Sequence, residues 1–175
     1  MRKFTIDLLA IFVAAIALIF SILQGKEQIN HNHISVEPRI NSYFTINGKE
    51  DKWGIYVINN GMGTAFVSDL TVLVDGVPVA DHEWGKFYSA VISLKLNPLC
   101  FIYGGPRPND SFPVGKEQIL IEGNKDNPIA PKTCPIDYLR LQEYQKERLD
   151  YQLKIKSIYG DTFEYQFSKN EQVDI

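Results

Sequence analysis

The chain has 175 residues, 45% of them hydrophobic and 22% charged, with a formal net charge of −3. This composition suits a folded domain and excludes a disordered chain. The acidic balance, without a basic run, also excludes a protein that grips nucleic acid through its phosphates, which need clustered lysine and arginine.

Residues 8–23 are uninterrupted by charge, amide, glycine or proline, and Ser21 is their only polar side chain. Extended back to Phe4, with Asp7 the one interruption, the run reaches the ~20 residues that span about 30 Å of hydrocarbon. We therefore predict a transmembrane helix over about residues 4–23. Asp7 lies one turn inside its start, within reach of headgroups and of the positive end of the helix dipole. A cleaved signal peptide carries small residues behind its apolar run. Here Ala14, Ala15 and Ala17 lie mid-run and Leu18-Ile19-Phe20 follow, which favours an uncleaved anchor. No cysteine follows the run to carry a lipid.

Arg2 and Lys3 against Asp7 leave residues 1–24 at +1, while the remainder, with 16 basic and 20 acidic residues, carries −4. Lys26 and Arg39 behind the helix are diluted by Glu27 and Glu37. The positive-inside rule puts the N-terminus in the cytoplasm and the rest in the periplasm or outside the cell. The expected address is the cell membrane, crossed once. Residues 24–33 are polar and free of proline and read as a helical stalk, weakened by Gly25, that ends before Pro38. Residues 1–33 are then tip, anchor and stalk, and residues 34–175 one extracytoplasmic domain.

From residue 34 the apolar period becomes two. Strands are expected over 34–46 and 53–58, the second ending at Asn59-Asn60-Gly61-Met62-Gly63, residue types that accept positive φ. Leu70, Val72 and Val74 lead to Asp75-Gly76, a hairpin signal before Val77 and Val79. Asp81 is an expected N-cap, with Trp84, Phe87, Tyr88 and Val91 at helical spacing behind it. Gly104-Gly105-Pro106-Arg107-Pro108-Asn109-Asp110 is a loop. Pro113 before the strand at 116–122 suggests an edge position. Thr133 and Pro135 open a helix with Ile136 and Leu139 on one face and a polar tail to Arg148. Leu149, Tyr151, Leu153 and Ile155 alternate with polar residues. Tyr159-Gly160-Asp161 then turns the chain into Phe163, Tyr165 and Phe167, making a C-terminal hairpin.

About seven to nine strands between turn signals predict a mainly β fold. It is an immunoglobulin-like antiparallel sandwich with one or two short helices, burying the final hairpin's aromatic stripe against the 53–58 run.

Chemistry-bearing patterns are few. His31-x-His33 can pair on a metal only with a distant third ligand, so solvated stalk histidines are the simpler reading and no cofactor is expected. Cys100 and Cys134 either form a structural disulfide, as an exported domain favours, or stay as two thiols. Their spacing is not that of a redox motif. His82 is the one histidine in the domain that can serve a hydrolase or metal-dependent enzyme, with Asp81 and Glu83 beside it. Glu50-Asp51 reads as a turn, Gly104-Gly105 lacks the lysine of a phosphate loop, and the tyrosines and phenylalanines alternate as core rather than as a sugar platform.

The exit segment His31-Asn32-His33-Ile34-Ser35-Val36-Glu37-Pro38 behind an anchor, the turns Asn59-Asn60-Gly61-Met62-Gly63-Thr64-Ala65 and Val74-Asp75-Gly76, and Ser157-Ile158-Tyr159-Gly160-Asp161 belong together. In this combination the chain resembles a scattered group of uncharacterised bacterial single-pass membrane proteins with a small extracytoplasmic β domain. The resemblance covers most of the chain. It implies a bacterial envelope location and brings no catalytic residue.

The expected function is a non-enzymatic interaction module. Its helix meets the lipid bilayer, and loop positions Asn60, Met62, Arg107 and Asn109, or an open sheet edge, meet another envelope protein. The alternatives are the enzyme built on His82, and a sensor or effector acting through Asp7 and the small helix face of Ala10, Ala14 and Ala17. The oligomeric state stays open.

Overall fold

A computed structural model describes residues 2–49 and 52–175, with side chains from residue 9 onward. Glu50, Asp51 and the side chain of Asp7 lie outside the described residues. Two compact units result, Met1–Val36 and Glu37–Ile175. The first contains one helix, α1 (Arg2–Ser35). Its stretch Leu9–Ser35 reaches a mean hydropathy of 2.1 over the most apolar window, none of which is buried, so it is long and apolar enough to cross a bilayer. Residues 34 and 35, expected in a strand, belong to this helix. Nothing between the apolar run and Pro38 stops its propagation, and adding a turn to an existing helix costs far less than starting one.

Among its described residues the second unit is mainly β, with two antiparallel sheets from ten strands. One sheet is ordered β1-β2-β7-β5, from β1 (Ile40–Asn47), β2 (Lys52–Asn59), β5 (Phe101–Tyr103) and β7 (Glu117–Gly123). The other runs β10-β9-β8-β3-β4, from β3 (Ala65–Val74), β4 (Val77–Pro78), β8 (Leu149–Lys156), β9 (Thr162–Gln166) and β10 (Glu171–Asp174). The two-residue β6 (Ser111–Phe112) pairs with the start of β3. Ile55, Val57, Leu120 and Ile121 of the first sheet and Val67, Leu70, Val72, Leu153 and Ile155 of the second share one buried cluster. Burying these aliphatic faces supplies the main driving force for the fold.

Both hairpin signals act as written. Asp75 and Gly76 take φ of 53° and 76°, the doubly left-handed turn that matches strand twist, and Val74 pairs with Val77. Gly160 turns β8 into β9.

Several expectations are corrected. The loop 59–63 contains no positive φ. Gly61 is needed there for another reason: a Cβ would drive into the backbone of Glu37, Pro38 and Arg39, which cross directly over it. The strand behind Pro113 is interior, between β2 and β5. Pro113 lies in the loop ahead of Glu117, so its missing N–H is never asked for by the ladder. Helix α2 (Lys86–Ser93) starts five residues after Asp81, because Gly85 at φ 91° ends the turn before it; Asp81 reaches Lys86 at 3.5 Å instead of capping. Trp84 therefore stays outside the helix while Phe87, Ala90 and Val91 are buried.

Helix α3 (Cys134–Glu147) starts where Thr133 and Pro135 indicate but turns the other way: Cys134, Tyr138 and Leu141 face the core and Ile136 and Leu139 face water. Phe163 and Tyr165 of the C-terminal hairpin share the buried cluster with Ile55 and Val57 of the 53–58 run, but the ring against Trp53 itself is Tyr138, at 4.9 Å between centroids. Tyr165 and Phe167 of the last hairpin gather instead around Tyr151, at 5.9 and 5.1 Å.

Candidate functional site

Asn60 and Met62 lie on the loop behind β2, and Arg107 and Asn109 on the loop ahead of β6; the first loop is organised by one side chain. Asn59 is fully buried at the end of β2. Its Oδ1 accepts from the N–H groups of Arg39 and Gly61 at 3.1 and 3.0 Å. Its Nδ2 donates to the carbonyls of Gly63 and Phe112 at 2.8 and 2.9 Å. The amide's four hydrogen-bonding positions are thereby filled.

Around this hub the Asn60 N–H donates to Arg39 O at 2.7 Å, and Met62, 77% exposed, donates its N–H to Glu37 O at 3.0 Å. These positions therefore flank the point where the chain enters the domain. In the other loop the Arg107 N–H donates to Asp110 Oδ2 at 2.8 Å, and Asn109, at φ 74°, donates its N–H to Val67 O at 2.9 Å. The two pairs are thus bonded to different segments, Asn60 and Met62 to residues 37–39 and Asn109 to Val67, and no shared ligand-shaped space joins the four.

His82 sits in a cluster of rings: its imidazole lies 4.3 Å from Tyr88 and 5.4 Å from Trp84 between centroids. Trp84 meets Tyr88 edge-on at 4.7 Å, and Tyr88 meets Tyr103 edge-on at 5.2 Å. His82 Nδ1 accepts the Trp84 N–H at 3.2 Å, and the Tyr103 hydroxyl donates to Pro98 O at 2.6 Å. Burial, then the neighbouring Tyr88, push the Tyr103 phenol well above its ordinary range, so it stays a neutral donor. The rings touch, which leaves no cage between them. What they offer is one outer surface, crowned by Trp84 at 61% exposure. Among the described residues no three His, Cys, Asp or Glu side chains gather as a metal would need, His31 and His33 on α1 included.

Behind the cluster the short turn Pro98–Cys100 is tied to α3 twice. Cys100 and Cys134 form a disulfide between buried residues, with Cα atoms 5.3 Å apart. Asp137, in the first turn of α3, accepts the Asn97 N–H at 3.3 Å and lies 3.8 Å from Cys100 Sγ. These ties set the rotation of α3 and so expose Ile136. A groove of about 620 Å³ opens between α2 and α3, lined by Ile92, Lys95, Leu96, Pro98, Ile136 and Arg140 among others.

On the face of the first sheet turned from the core, Tyr43 and Tyr56 stack at 5.7 Å. Glu117 accepts from the Tyr43 hydroxyl and from Lys52 Nζ, the latter at 2.7 Å. Burial raises the Glu117 carboxyl, but the hydrogen bonds from Lys52 and Tyr43 outweigh it and hold the group below 4.5. A carboxyl lowered on folding stabilises above its unfolded value and loses that contribution as pH falls through the folded one. Denaturant midpoints should therefore drop as pH falls below 4.5, and Lys52→Met should flatten the drop. An unchanged pH slope in that variant removes Glu117 from the account.

Comparison with known protein families, curated proteins and solved structures finds no match. The ring cluster and the groove were missed from sequence. The one available signal was Trp84 between Glu83 and Gly85, an aromatic with no apolar partner in strand register.

Proposed function

We propose that the chain is a membrane-anchored recognition module whose domain stands outside the cytoplasm and meets an envelope protein through the Trp84 cluster. The observation that carries this reading is a tryptophan kept 61% exposed while neighbouring rings hold it in place. Exposed, pre-ordered tryptophans are favoured binding anchors, because they bury large area at little entropic cost. Anchoring is supported by the unburied apolar helix, and sidedness by Arg2 and Lys3 together with the disulfide, since such bonds persist in oxidising compartments.

We further infer an immunoglobulin-like sandwich. The order β1-β2-β7-β5 follows the A-B-E-D pattern, and β9-β8-β3-β4 follows G-F-C with an added C′. The bridge departs from that family's habit: it joins the 98–100 turn to α3, not strand B to strand F.

The test is a photoreactive residue at position 84 of the full chain in native membranes, with a second chain labelled in the 104–110 loop. A discrete adduct from position 84 alone is expected. Adducts from the loop alone move the contact to Arg107 and Asn109, and none from either position overturns the recognition reading.

A further inference from the structure

We propose that the groove between α2 and α3 is a second binding site, independent of the Trp84 cluster, for a peptide segment carrying aliphatic side chains next to a carboxylate. Its walls leave apolar surface in water: Ile92 is 47% and Ile136 52% exposed, with half-buried Pro98 and buried Leu96 also lining the groove. Aliphatic groups facing each other across an open groove gain most from a side chain inserted between them.

The charge at the rim selects the rest of the partner. Lys95 and Arg140 both line the groove, in a domain that is acidic overall. Asp137 is the carboxylate beside them. Its side chain is only 9% exposed and engages one Arg140 nitrogen at 3.5 Å. That contact positions the half-exposed guanidinium while leaving the planar fork able to take a carboxylate from outside. The start of α3 contributes little of its own, because the Cys134 and Ile136 N–H groups are already donated to Pro131 and Thr133. Recognition of the anion falls to the two cations.

Lys95 carries a further mark. At φ 59° it occupies the left-handed position that closes α2, with its N–H donated to Ile92 O at 2.9 Å and the Leu96 N–H to Val91 O at 3.1 Å. Glycine is the favoured residue at this position, and a lysine there carries a conformational cost. The lysine puts a cation at the groove where stability alone calls for glycine.

The experiment uses the full chain in lipid nanodiscs and a fluorescein-labelled Gly-Ile-Glu-Ile-Gly amide, read by anisotropy. Saturable binding is expected, weakened about tenfold or more when the peptide's glutamate becomes glutamine or when Arg140→Glu reverses the rim charge. Lys95→Gly separates function from architecture: the thermal midpoint should rise while peptide affinity falls. Equal binding of the glutamine peptide, an unchanged affinity in Arg140→Glu, or no saturation by about 1 mM overturns the proposal. Laurate displacing the peptide at lower concentration than the peptide itself binds gives the groove to a lipid and overturns it as well. None of these outcomes touches crosslinking at position 84.

Discussion

Replacing Asn59 by leucine should unfold the domain. Leucine has the same branched heavy-atom skeleton, so the main loss is one of hydrogen bonding, with crowding from its larger methyl groups added to it. The Gly61 N–H and the carbonyls of Gly63 and Phe112 would keep their burial and lose this partner, and the part-buried Arg39 N–H would lose it too. Each buried group left unpaired costs about 1–3 kcal/mol, and the sum rivals the whole stability of about 5–15 kcal/mol that a domain of this size possesses. Asn59→Asp separates the two halves of the network. A carboxylate can still accept from Arg39 and Gly61 but meets the carbonyls of Gly63 and Phe112 with no proton to offer. That variant should recover part of its stability on acidification, when the carboxyl becomes a donor. Urea unfolding followed by far-UV circular dichroism measures both. A loss under about 1 kcal/mol in Asn59→Leu would mean that the loops rebond without the side chain.

Removing the disulfide is the second large effect. The bridge closes a sequence separation of 34 residues, and the chain-entropy relation gives about 4 kcal/mol for such a loop. Cys100→Ser with Cys134→Ser should therefore lower the unfolding free energy by an amount of that order, read as a lower denaturation midpoint. The double variant also frees the turn that carries Tyr103 into the ring cluster, because Tyr103 lies three residues from Cys100 and bonds Pro98. Crosslinking from position 84 should weaken in the double variant under conditions where it remains folded. Equal stability with and without the bridge would show that the Asp137 tie to Asn97 and the packing of Tyr138 on Trp53 and Phe101 hold α3 unaided.

Strong local signals were legible wherever one chemical constraint dominated. An uncharged run of sufficient length has no soluble helical or strand partner to satisfy it, so residues 8–23 announced a helix. Asp75-Gly76 demanded a left-handed turn, and the alternation in 149–155 demanded a half-buried strand; both elements formed. Failures came where two local readings competed. In α3 the pairs Ile136–Leu139 and Tyr138–Leu141 both describe apolar stripes. Cys134 decides between them, because its bond to Cys100 fixes the rotation of the helix, and that bond joins residues far apart in sequence. Around Trp84 the helical spacing was real, but Gly85 at positive φ placed the tryptophan before the helix and out of the core. In the loop 59–63 the glycines suggested unusual φ, whereas the operative constraint on Gly61 is backbone crossing from residues 37–39.

The sequence by itself determined that this protein has an apolar helix of membrane-spanning length at its start and a mainly β domain behind it, because hydrophobic run length, period-two alternation and turn chemistry are properties of neighbouring residues. Only the tertiary structure decided which apolar surfaces are left in water. The groove beside Ile136 and the Asn59 hub depend on contacts between segments distant along the chain, and such contacts leave no period in the sequence for local reasoning to detect.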